Sequence, residues 1–129
     1  MKILAEISVG ELYDKITILN IKLKKIHDPN KLKNIKIELD ALMEQSNKLI
    51  LKDDEILRKN IQKLQDINEE LWDIENAKRE CEANKEFGEI FIKISRDVHF
   101  KNDIRASIKK EINLLSNSKI TEEKEYSKY

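Results

Sequence analysis

Cysteine, proline and glycine are nearly missing from this chain of 129 residues: it has one Cys (Cys81), one Pro (Pro29) and two Gly (Gly10 and Gly88). A lone cysteine closes no internal disulfide, which excludes a disulfide-built secreted fold, and Cys81 is expected to be a buried structural thiol. So few turn formers exclude an all-β fold, which needs a turn signal roughly every 8–12 residues. Two isolated glycines also exclude a glycine-rich phosphate loop. Neither sign of charge is in excess, since 25 Lys and Arg balance 25 Asp and Glu. That balance argues against nucleic acid or an acidic membrane surface as a partner. No apolar run nears the roughly 18 residues of a membrane span. The short one at the start ends at Glu6, too soon for a secretory leader. With only His27 and His99, no paired-histidine spacing on a helix and a single cysteine, no metal site and no cofactor are expected. These absences point to a soluble, cytoplasmic protein without membrane insertion.

What is present is charge and helix-forming residues. Asp, Glu, Lys and Arg make up 39% of the chain, and Lys, Glu, Leu and Ile dominate it. Ser8 and Glu11 fit a capping box opening a helix on which Val9, Leu12, Ile16, Leu19, Leu23 and Ile26 form a stripe. Ile18 and Ile21 fall on its other side, so this helix is either central in a bundle or shared with a second copy, which makes a homodimer an open expectation. Asp28-Pro29 caps a second helix carrying Leu32, Ile35, Leu39, Leu42 and Leu49, with Ser46 where an apolar residue belongs. Asp53, Asp54 and Glu55 suit the dipole of a third helix along Leu57, Ile61, Leu64, Ile67, Leu71 and Ile74, expected to end near Lys85. Phe87, Ile90, Phe91, Ile94 and Val98 predict a fourth. Asn102 reads as the N-cap of a fifth, through Ile104, Ile108, Ile112 and Leu115. The expected fold is all-α: an antiparallel helical bundle of about five helices, with a long first hairpin and a long third helix. Residues 1–120 form one domain and 121–129 a charged tail that frays or docks through Tyr126.

Lysine outnumbers arginine 21 to 4, yet three of the four arginines, Arg79, Arg96 and Arg105, fall in one stretch with Trp72 and His99. A guanidinium presents a rigid fork to carboxylate or phosphate, so its retention in a lysine-biased chain marks positions where geometry matters. Glu75 and Arg79, four residues apart beside Trp72, read either as an ion pair aiming the guanidinium at a ligand or as an ordinary surface pair. Arg96, His99, Asn102, Asp103, Arg105 and Lys109 span the expected junction of the last two helices, where free amides at a helix start favour an anion. Alternatively, these arginines pair with Glu6, Glu11, Asp14, Glu70 or Glu75 and fix helix register.

Three strings occur together: Glu-Ile-Ser-Val-Gly-Glu-Leu-Tyr-Asp-Lys-Ile-Thr-Ile-Leu at residues 6–19, Glu-Leu-Trp-Asp-Ile-Glu at 70–75 and Phe-Lys-Asn-Asp-Ile-Arg-Ala-Ser-Ile-Lys-Lys-Glu-Ile-Asn at 100–113. In combination they resemble a family of small bacterial and phage proteins defined as a domain of unknown function, over nearly the whole chain. The resemblance implies an all-helical single domain and a link to sugar-transfer enzymes of surface glycans. A weaker similarity to the helical chorismate mutases transfers no residue, because the first helix has only Lys15, Lys22, Lys24 and Lys25 where those enzymes place arginine. The leading expectation is a non-catalytic binding or accessory module. Its anion-accepting pocket is expected from Trp72, Glu75, Arg79, Arg96, His99, Asn102, Arg105 and Lys109, for a phosphate- or carboxylate-bearing molecule or an acidic segment of a protein partner. Two alternatives stay open. One is a small helical enzyme with Arg96 and Arg105 clamping a dianion while His99 or Glu75 moves a proton. The other is a purely structural salt-bridge network.

Overall fold

The computed structural model describes residues 1–49 and 54–129. Four helices cover most of them: α1 (Val9–Lys25), α2 (Pro29–Asn47), α3 (Glu55–Ala83) and α4 (Glu89–Leu115). The protein is all-α, and no strand occurs among the described residues. Each start follows its local chemistry. Ser8 Oγ accepts the Glu11 amide, Asp28 accepts those of Asn30 and Lys31 ahead of Pro29, and Asp54 accepts that of Ile56. The part expected of Asp53 lies outside the described residues. Only half of the capping box at Ser8 forms, because the Glu11 carboxylate is taken by Lys109 and Lys15.

The expected fifth helix is absent. α4 runs unbroken through Asn102, so Asn102 is an interior residue and not a cap. Between Gly88 and the end of α4 neither glycine nor proline intervenes. One asparagine inside a helix costs only about 0.7 kcal/mol relative to alanine, too little to break a helix packed along its length on α3. At the other end of that pair, α3 stops at Ala83 and Lys85 takes a left-handed conformation (φ 52°), while the Glu86 amide bonds back to the Cys81 carbonyl at 2.8 Å. A side chain at such a position is strained by roughly 1–2 kcal/mol. Lys85→Gly is therefore expected to stabilise the protein by about 1 kcal/mol, read as a higher urea midpoint at unchanged slope.

α1 touches all three other helices, whereas α2 packs on α1 alone. That difference explains their burial. Leu12, Ile16, Leu19 and Ile21 are all inside on α1, but of the α2 stripe only Ile35 is buried. Ile21, at 1% exposure, is covered within the chain and Ile18 is half-buried. Ser46, the polar residue in the α2 stripe, exchanges a hydrogen bond with the Tyr13 hydroxyl at 3.1 Å. The core centres on Leu57, Leu64, Ile67 and Ile112, with Val9, Tyr13, Ile61, Ile108 and Leu115 packed around it. Cys81 is a buried thiol. No helix among the described residues is long and apolar enough to cross a membrane.

Candidate functional site

Gly10, Asp14, Thr17 and Ile21 follow each other at steps of four, three and four along α1, so they share one face, and all four are buried. Asn102, Arg105, Lys109 and Asn113 form a corresponding face of α4. The two faces meet, with Asn68 of α3 beneath them. Asp14, only 1% exposed, is the centre of the polar layer. Its Oδ1 accepts Arg105 Nε and Asn68 Nδ2, each at 2.9 Å, and its Oδ2 accepts Arg105 Nη2. The Asn68 amide also donates to Thr17 Oγ1 at 3.0 Å, and that hydroxyl donates to the Asp14 carbonyl. A two-pronged guanidinium–carboxylate pair holds both partners in plane, which a lysine cannot do.

Lys109 extends the layer outward. Its Nζ lies 2.5 Å from Glu11 Oε2, 3.2 Å from Glu122 Oε2 and 3.9 Å from Asp14 Oδ2. The other oxygen of Glu122 accepts the Ser8 hydroxyl at 3.1 Å. Around it the first amides of α1 are already satisfied: Val9 donates to Ser118 Oγ, Gly10 to Asn113 Oδ1 at 2.7 Å, and Glu11 to Ser8 Oγ. The start of α1 is therefore closed by protein acceptors. Between α4 and the segment after it a cavity of about 280 Å³ opens, lined by Arg105, Lys109, Lys110, Asn113, Glu122 and Lys124 among others.

The titration behaviour follows from this arrangement. Burial alone would raise the pKa of Asp14, but the hydrogen bonds from Arg105 and Asn68 and the charges of Arg105 and Lys109 outweigh it and hold the carboxyl below its ordinary 3.8. The hydrogen bond to Asp14 raises the pKa of Arg105 against its own burial. Lys109 would be lowered by burial, yet Glu11, Asp14 and Glu122 together raise it. Glu122 is likewise held low, Lys109 and Ser8 overcoming its partial burial.

Of the eight residues expected to form a pocket, Asn102, Arg105 and Lys109 come together here. Asn102 Oδ1 accepts Arg105 Nη1 at 3.5 Å. The other five lie elsewhere. Arg96 stands 6.0 Å from the Phe100 ring centroid in a separate shallow groove with Glu89 and Asp97. His99 packs on Phe100 and Tyr129, at 4.5 and 5.3 Å between centroids. Trp72 is half-buried on α3, and Glu75 and Arg79 are exposed, with no ion pair joining them. The reason is the unbroken α4: nine residues separate Arg96 from Arg105, which in a helix of 3.6 residues per turn places them on opposite faces, roughly 13 Å apart along the axis. They do not share one small dianion.

Glu11 and Asp14 were expected only as acids an arginine could pair with, and Asn68, Asn113 and Glu122 carried no expected role. The signal for the first was present in the Gly10, Asp14, Thr17, Ile21 spacing, a face of small and polar residues closing on isoleucine. Among the described residues no group of three or more His, Cys, Asp or Glu is arranged to hold a metal ion.

No curated protein and no solved structure matches the chain. One family does, over residues 1–129, and it covers the polar layer, the cavity and the C-terminal segment alike. The chain belongs to DUF6165, a family of unknown function.

Proposed function

We propose that the chain is a non-catalytic binding module, built as an antiparallel helical bundle, that accepts the carboxylate or phosphate of a small ligand in the cavity between α4 and the C-terminal segment. The observation that carries this reading is Glu122. Its carboxylate lies between a neutral donor, Ser8 Oγ, and a cation, Lys109 Nζ, so donors of the right kind already converge on an anionic group there. Arg105, committed to Asp14, positions this layer, while Lys109, Lys110 and Lys124 supply the charge facing the cavity. A link to surface-glycan synthesis, implied by the family resemblance, makes nucleotide sugars worth including among the ligands tested.

The Asp14–Arg105 pair favours a second reading, in which the same layer only fixes α1 against α3 and α4. Thermal unfolding followed by the fluorescence of Trp72 separates the two. Dicarboxylates, phosphates or nucleotide sugars at saturating concentration are expected to raise the midpoint, since a ligand bound only by the folded state stabilises it. The shift should be lost in the double variant Lys110→Glu/Lys124→Glu, which spares the polar layer. No shift with any of these compounds would remove the small-anion reading and leave the structural one.

A further inference from the structure

The segment that follows α4 is held in an unusual way. After Asn117, which takes a left-handed turn (φ 53°), residues 119–129 adopt no regular structure, and every one from Thr121 onward is exposed. Apolar burial holds it only at its start, where Ile120 is half-buried; Tyr126, the residue expected to dock it if it did not fray, is 69% exposed. Its attachments are polar and few. Glu122 reaches Ser8 and Lys109, Glu123 pairs with Lys110 at 3.7 Å, and the Tyr129 hydroxyl donates to Asp103 while its ring meets those of His99 and Phe100. The Glu123–Lys110 pair, exposed on both sides, is weakly held; at Lys109 the cation is 11% exposed and the Glu122 side chain 41%.

We propose that residues 119–129 are a displaceable strap, with Glu122 the resident occupant of a carboxylate seat made by Ser8 Oγ and Lys109 Nζ, and that an external carboxylate takes its place. This deepens the anion-binding reading and rests on it. Three features set Glu122 apart from the other acids around Lys109. Asp14 is buried and Glu11 belongs to α1 itself, whereas the Glu122 side chain is 41% exposed and sits on chain without helix. Lys109 keeps its Glu11 partner when Glu122 leaves, so the cation is not abandoned. Opening from Thr121 onward moves only residues that are already exposed.

A tethered carboxylate competes as though present at roughly millimolar concentration. A single external carboxylate therefore displaces it poorly, and a dicarboxylate that also reaches Lys110 of α4 does so well. The same tether predicts what its removal does: a site freed from an internal occupant shows its intrinsic affinity.

The test uses the full chain and its Glu122→Gln variant, with malonate and inorganic phosphate as probes, each titrated by isothermal calorimetry and by backbone amide shifts. A single cooperative thermal transition without probe, at a midpoint no more than modestly lowered by the loss of the Glu122 charge, establishes that the variant is folded. Malonate is expected to bind Glu122→Gln about tenfold more tightly than the unaltered protein, and in the unaltered protein to move the amides of residues 121–126 toward unstructured values. Phosphate binding with the same tenfold gain also supports the strap, with the seat then reading charge and not the carboxylate shape. Equal affinity for the two proteins overturns the strap and leaves the anion site standing. Absence of binding to either protein overturns both.

Discussion

Arg105→Ala destabilises the protein by about 3–5 kcal/mol, the scale for removing one partner of a buried ion pair, measured by urea denaturation at neutral pH. The effect is large because of what remains. Asp14 is 1% exposed and cannot reach water, so losing the guanidinium strips its carboxylate of two hydrogen bonds and its nearest charge. Asn68 still donates to it, and Arg105 itself is 28% exposed at the side chain, which places the expected loss toward the lower end of that range. Replacing both partners by apolar residues, Asp14→Leu with Arg105→Met, recovers part of it, because the desolvation of both charges disappears with them.

The pH dependence has a definite sign. Asp14 has a folded pKa below its ordinary value, so its contribution is complete above the unfolded pKa of about 3.9 and is lost as pH falls through the lowered folded value. Glu122 acts in the same direction. The gap between the unaltered protein and Arg105→Ala is thus expected to be wide at pH 7 and to narrow below about pH 4. A gap that stays constant down to pH 3 would show that Arg105 stabilises through packing of its stem and not through Asp14.

Gly10→Ala is expected to cost about 1–3 kcal/mol, as overpacking of a tight contact does. In an open helix the same change stabilises by roughly 1 kcal/mol, so the sign itself is informative. A Cβ at residue 10 meets the Lys109 carbonyl oxygen at 2.5 Å and Asn113 Oδ1 at 2.9 Å. The carbonyl belongs to the backbone of α4 and cannot swing aside. α1 must instead back away from α4, lengthening the 2.7 Å bond from the Gly10 amide to Asn113 and loosening the Asp14–Arg105 pair one turn further on. Gly88→Ala is the control. Nothing lies within 4 Å of its Cβ, so no overpacking arises, and only the small loss of replacing an N-cap glycine by alanine, below about 1 kcal/mol, is expected there. Equal behaviour of the two variants in thermal unfolding would contradict the close approach of α1 and α4.

The amino-acid pattern by itself determined the helices. Apolar residues at steps of three and four, with Ser8, Asp28-Pro29 and Asp54 at the starts, require only local backbone hydrogen bonding and one buried stripe per helix, and α1, α2 and α3 begin where those signals stand. Local signals misled at Asn102, because a residue that can cap a helix can also lie within one, and which happens depends on the packing of α4 against α3. Pairing is a property of three dimensions. Arg105 faces Asp14 across 91 positions of sequence, Glu122 reaches Ser8 across 114, and neither partner carries a local mark of the other. Tertiary structure alone decided that Arg96 and Arg105 part company on opposite faces of one helix, that Gly10 lets two helices close, and that an exposed glutamate of the tail lies on the cation those helices present. The physical reason is that helix periodicity fixes which residues share a face, while only the packing of faces fixes which charges must answer one another.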